Sequence, residues 1–246
     1  MPGSEKPGPE KNDDGILFRS ANRGYDKPMK ARAGRWLFLF WLIFLFSACV
    51  PSGKGVIIFC AGDSLTEEAY PLFLRRDLTR EGIPARVLNY GRSGYTSGEY
   101  LSFLVKDKAR LIEEKPDIVL LQLGTNDVRT DHDFTPTDRF RANMKGILAV
   151  FRSFRSRSGR IPRVFLAVIP DIPPGNHVNF NAESARRVEA EINPAIREIA
   201  AAEGITVVDQ HAVFVRRPDL LPEIHPGREG YRLMAEAWEK AIHPFL

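Results

Sequence analysis

The 246 residues are 43% hydrophobic and 27% charged, which allows one domain with a substantial core and excludes a chain disordered throughout. The net charge of +4 is concentrated in the first 35 residues and in RSFRSRSGRIPR (Arg152 to Arg163); no recognition motif accompanies it, so it reads as a solvated basic face and no nucleic-acid partner is expected. Two cysteines, Cys49 and Cys60, exclude a disulfide framework and offer no metal-ligand spacing.

Residues 1–28 are rich in Pro, Gly and charge, a composition that predicts a disordered leader, or a segment upstream of a true start at Met29. A basic stretch, 29–35, then precedes the apolar run WLFLFWLIFLF (Trp36 to Phe46) and the small-residue exit Ser47-Ala48-Cys49. Basic, apolar and small segments in that order form a secretory signal, and the run falls short of the roughly 20 residues of a bilayer span. The exit resembles a bacterial lipoprotein box, in which Cys49 would carry the lipid. An uncleaved anchor helix from Trp36 to about Val50, or plain cleavage, are the alternatives. Each predicts that the domain starting at residue 55 is exported, tethered to a membrane or free in the periplasm or outside the cell.

From Gly55 on, strand and helix patterns alternate. VIIFCA (Val56 to Ala61) is a continuous apolar run, as a parallel strand covered on both faces requires. A helix is predicted over Tyr70 to Glu81, then a strand over Ala85 to Tyr90. A helix over Ser97 to Glu114 stops before Pro116, and Asp117 to Leu123 is the third strand. The remaining pattern is a helix from Thr137 to Phe154, a strand from Arg163 to Ile169, a helix from Ala182 to Glu203, a strand from Ile205 to Asp209 and a closing helix from Gly227 to Ile242. Such alternation predicts one doubly wound α/β sheet spanning residues 55–246. The longest irregular stretches, Asp127 to Pro136 and Pro170 to Asn181, follow the third and fourth strands and belong at the carboxyl edge, where open α/β sheets bind ligands.

The chemistry-bearing residues fall at the same edge. Ser64, just past the first strand in Gly62-Asp63-Ser64-Leu65, is a candidate nucleophile, although a helix cap would use the same residue. Of five histidines only His225 sits in a motif, HPGREGY, and an imidazole suits proton transfer in both directions. Asn126, in Gly124-Thr125-Asn126-Asp127, and Gly94, in NYGRSGYTS, are candidate oxyanion donors, one through a side-chain amide and one through a backbone N–H that a missing Cβ leaves approachable; the Ser64 amide is a third. Each motif alone is as well explained by a turn or a cap.

Together, in this order, they resemble the SGNH (GDSL-type) hydrolase family over residues 55–246. The resemblance implies a flavodoxin-like three-layer α/β/α sandwich with a five-stranded parallel sheet. It also implies Ser64 as nucleophile, His225 as acid/base, and an oxyanion hole of Ser64, Gly94 and Asn126, with no metal or organic cofactor. One position departs: the family usually carries an aspartate three residues before the histidine, and here Pro222 stands there. Glu223 is the first choice for the orienting acid, Asp219 the second, and a Ser–His dyad with a backbone carbonyl the third. Asp63 and Asp127 have bracing roles open to them. Arg92 and Arg129 are either surface residues or contacts for an anionic substrate.

The function expected is hydrolysis of carboxylic esters, of small acyl groups such as O-acetyl on carbohydrate, since the C-terminal run looks most like a carbohydrate-acetylesterase branch. A lysophospholipase or thioesterase acting on longer chains, and a non-catalytic surface binding protein on the same fold, are the rivals.

Overall fold

The computed structural model describes residues 55–246 apart from His132, Asn176 and His177. The predicted leader and signal segment, with Cys49, lie outside the described residues. Five strands, β1 (Val56–Gly62), β2 (Ala85–Gly91), β3 (Ile118–Gln122), β4 (Arg163–Val168) and β5 (Thr206–Asp209), form one sheet in the order β2-β1-β3-β4-β5. All four pairings are parallel; Ile58, for example, lies beside Val87 on one flank and Ile118 on the other.

Alternate residues of each strand feed two cores, which is why the runs are apolar throughout rather than every second residue. Phe59, Val119, Leu121, Leu166 and Val168 pack on one face against α3 (Ser97–Lys106), α5 (Thr137–Arg152) and the helical stretch 182–203. Ile58, Cys60, Leu120, Phe165 and Ala167 pack on the other face against α2 (Tyr70–Arg80) and α9 (Arg228–Ile242), with Trp238 fully buried. The result is the expected α/β/α sandwich.

Two predicted helices are broken, each for a visible reason. The one over 97–114 becomes α3, then α4 (Lys108–Leu111) and a 3₁₀ turn ending at Lys115, whose φ is +51°. Pro116 disfavours the α conformation for that residue. The helix over 182–203 becomes α6 (Ala182–Arg187), a π segment over 188–192 and α7 (Asn193–Glu203). Pro194 has no N–H to give the carbonyl four residues back, and the ladder shifts so that the Asn193 N–H reaches Val188 instead. Two short helices carried no usable pattern: α1 (Ser64–Glu67) and α8 (Gln210–Arg216).

Strand order reverses at β1: the chain passes to β2 on one side and then crosses to β3 on the other. A crevice opens beyond the carboxyl ends of strands at such a switch point, and the chain leaves β1 into Ser64 and β3 into Asn126 here.

Candidate active site

β1 ends at Gly62, and the Asp63 carboxylate accepts from the Leu65 N–H (3.0 Å), capping α1 so that Ser64 is its first residue. The second loop is held against this helix. The Arg92 N–H donates to the Gly62 carbonyl (2.9 Å), and the Glu67 carboxylate accepts from the Ser93 N–H (2.7 Å). A Cβ on Gly91 would lie 2.2 Å from the Glu67 backbone nitrogen, so only glycine lets β2 come this close to α1. At Gly94 a Cβ would meet nothing within 4 Å, and glycine is favoured there by its φ of +78°.

The third loop is tied to the second. The Asn126 side-chain NH₂ donates to the Tyr95 carbonyl (3.0 Å), and Asp127 accepts from the Ser97 N–H (2.9 Å) and hydroxyl (2.6 Å). Asp63 and Asp127 therefore both brace loops, and burial raises the carboxyls of both, Asp63 to about 7. Asn126 has a second amide hydrogen to give. Among the described residues, the N–H groups of Ser64 and Gly94 have no hydrogen-bond acceptor. Those are the three donors that an oxyanion hole here would use.

The loop before α9 brings His225 to the serine: Nε2 lies 2.8 Å from Ser64 Oγ. With its ring proton on Nδ1, the imidazole accepts the serine hydroxyl and is poised to take its proton. Among the described residues, no hydrogen bond reaches Nδ1. Glu223 is not brought to it. The chain bends at 222–225, Ile224 packs inward against the core, and Glu223 is left exposed without a hydrogen bond or ion pair among the described residues. Asp219 is held by Arg217 (2.8 and 3.0 Å). Among the described residues, the carboxylate within ion-pair range of His225 is that of Glu68, 3.6 Å from Nε2.

Residues 60–233 match the family model described as GDSL-like Lipase/Acylhydrolase family. The chain belongs to that family. It is 31% identical over 137 residues to a multidomain esterase of Ruminococcus flavefaciens, covering 53% of this chain and 16% of that protein. It is 24% identical over 227 residues to an acetylxylan esterase of Xylanibacter ruminicola, covering 80% of this chain and 45% of the other. The chain thus spans less than half the length of either relative. Solved structures share its fold: an acetylxylan esterase from Geobacillus stearothermophilus (TM-score 0.62, 20% identity, covering 77% of this chain and 95% of that one) and an aryl esterase from M. smegmatis (TM-score 0.64, 19% identity, 78% and 100%).

For this GDSL-family chain, the structure also shows residues that the motifs did not reveal. Arg187, 2% exposed, donates to the carbonyls of Asp127 (2.8 Å) and Thr135 (2.6 Å), pairs with Glu191 (3.1 Å) and lies over the Phe134 ring. It clamps both ends of the loop that follows Asn126. Its only signal in the sequence is an i,i+4 partner, Glu191, on a helix that shows many other charges. Glu67 was invisible for a simpler reason: its role depends on β2 lying beside β1. Neither Arg92 nor Arg129 is a free cation. Arg92 lies over the Phe103 ring at 4.4 Å and donates to the Gly91 carbonyl, and Arg129 pairs with Asp131 and Asp133. Among the described residues, no helix is long and apolar enough to cross a membrane.

Proposed function

We propose that this GDSL-family chain is an exported serine esterase that removes small acyl groups, O-acetyl foremost, from a carbohydrate or similar small ester. The observation that carries the chemistry is the 2.8 Å contact between Ser64 Oγ and His225 Nε2. Ser64 attacks the ester carbonyl as its proton passes to Nε2. The negative charge that develops on the carbonyl oxygen is met by the amides of Ser64 and Gly94 and the side chain of Asn126, each such donor contributing ~3–4 kcal/mol. Collapse breaks the C–O bond, and the imidazolium returns the proton to the departing alcohol. Water then repeats the sequence on the acyl-serine, with His225 as base and Ser64 as leaving group.

The acetyl and carbohydrate assignment is supported by the acetylxylan esterases among its relatives; an open groove of about 690 Å³ also runs along α3 and the residues before it, from Arg92 to Asp107. Tyr95 and the Arg92–Phe103 pair line this groove and give a sugar ring flat surfaces to lie on. The export assignment is supported by the basic–apolar–small leader that ends at Cys49, and mass spectrometry of the mature N-terminus tests it. The catalytic reading is tested by p-nitrophenyl acetate hydrolysis with Ser64→Ala as control. The variant is expected at background, and equal rates for the two proteins would overturn the reading. Release of acetate from acetylated oligosaccharides, against p-nitrophenyl esters of graded chain length, tests the substrate class; a preference for long chains would overturn it.

A further inference from the structure

The position that normally supplies the orienting carboxylate holds Pro222, and neither Glu223 nor Asp219 replaces it at His225 Nδ1. A carboxylate nevertheless faces this histidine from the other side. Glu68 lies four residues after Ser64, one helical turn on, and its N–H donates to the Ser64 carbonyl (3.0 Å), which places its side chain above the serine. Its Oε1 is 3.6 Å from His225 Nε2, within ion-pair range and beyond hydrogen-bond range. Its other oxygen, Oε2, accepts from the Tyr231 hydroxyl at 2.5 Å. Tyr231 is 4% exposed and belongs to the HPGREGY segment that carries His225. Burial, then the Glu68 carboxylate, pushes the Tyr231 hydroxyl far up, so it stays a donor throughout the neutral range.

We propose that Glu68, anchored by Tyr231, is the charge partner of His225 and takes the place of the missing acid; the proposal rests on the esterase reading of this site. The two arrangements differ physically. A carboxylate on Nδ1 sets the tautomer and steadies the imidazolium. A carboxylate near Nε2 does only the second. It must also be kept from bonding Nε2 directly, because Nε2 has to stay open to the serine hydroxyl. Tyr231 provides that restraint by holding one oxygen away from the ring. Glu68 is then a full negative charge beside the imidazolium that forms when Ser64 gives up its proton, and it leaves the 2.8 Å serine contact intact. Both side chains are 43% exposed, so the stabilisation is screened by salt.

The test is kcat and KM of the full chain on p-nitrophenyl acetate at low and high ionic strength, about 0.02 and about 0.5 M. Ser64→Ala and His225→Ala come first. If either keeps wild-type turnover, the esterase reading falls and this proposal with it. With both at background, Glu68→Gln is expected to lower kcat about 5-fold at low salt, as loss of a partly exposed charge contact implies, with KM little changed. Wild-type kcat should fall as salt rises, and Glu68→Gln should not respond. A variant that merely loosened the fold would not lose the salt response selectively. Wild-type kcat in a folded Glu68→Gln, or an unaltered salt response, would overturn the proposal and leave an unaided Ser64–His225 dyad. If Glu68→Gln does not fold, Tyr231→Phe decides: lowered kcat with KM held supports the anchor, and unchanged kcat overturns it.

Discussion

The two halves of the site are built differently. Ser64, Asp63, Asn126 and Asp127 are 7%, 0%, 6% and 0% exposed, sit at the ends of central parallel strands, and are linked loop to loop through Gly62, Glu67, Tyr95 and Ser97. His225 rides on a bent segment, with its side chain 43% exposed and one ring nitrogen without a hydrogen bond among the described residues. The half that would stabilise charge is rigidly pre-arranged by the sheet, which is where electrostatic stabilisation is most effective. The half that would move protons is more open to solvent. The contrast teaches that the departure from the expected pattern, Pro222, falls in the exposed half, while Ser64 and Asn126 stand in the half built onto the sheet.

The sharpest way to break the comparison is at Asn126. Asn126→Ala should lower kcat by about 10²–10³ with KM little changed; a loss below tenfold would mean that the pre-arranged half is not what carries the rate. A smaller effect tests what that arrangement costs in stability. Asp63 is fully buried, and burial lifts its carboxyl to about 7, against about 3.9 in an unfolded chain. Between those values the folded state holds a proton that the unfolded state has lost, so stability is greatest below the lower value and falls as pH rises toward the upper one. A side-chain amide at this position does not titrate. Asp63→Asn should therefore match wild type near pH 4 and exceed it by roughly 2–4 kcal/mol above pH 7, as a raised acid of this kind implies. Urea unfolding at the two pH values measures this, and a constant difference would remove Asp63 from the account.

The same contrast explains what could be read from the sequence. The strands were legible because parallel strands buried on both faces are apolar at every position, as VIIF and IVLL are. Ser64, Gly94, Asn126 and His225 were legible because each stands in a short local string. The bracing residues were not, since Glu67, Ser97 and Arg187 act across 26, 30 and 60 residues of chain and carry no local pattern. The π segment was missed because Pro194 reads as a permitted early-helix residue, and only the register of the preceding helix shows that it falls in mid-run. Glu223 was favoured on spacing alone; the inward turn of Ile224, a tertiary effect, determines where its neighbour points.

Glu223 gives the smallest expected effect and a direct probe of the more exposed half. It is solvent-exposed and makes no hydrogen bond or ion pair with His225 among the described residues, so Glu223→Gln removes only a screened surface charge and should leave kcat within about twofold of wild type. A tenfold loss would require the loop 221–225 to refold on substrate binding and bring this carboxylate to Nδ1. The Pro222 bend and the packing of Ile224 oppose that motion, because Ile224 would have to give up its partly buried place against the core for Glu223 to turn inward. Steady-state kinetics of this one variant therefore reports whether the histidine segment works in the conformation described here or only after rearranging.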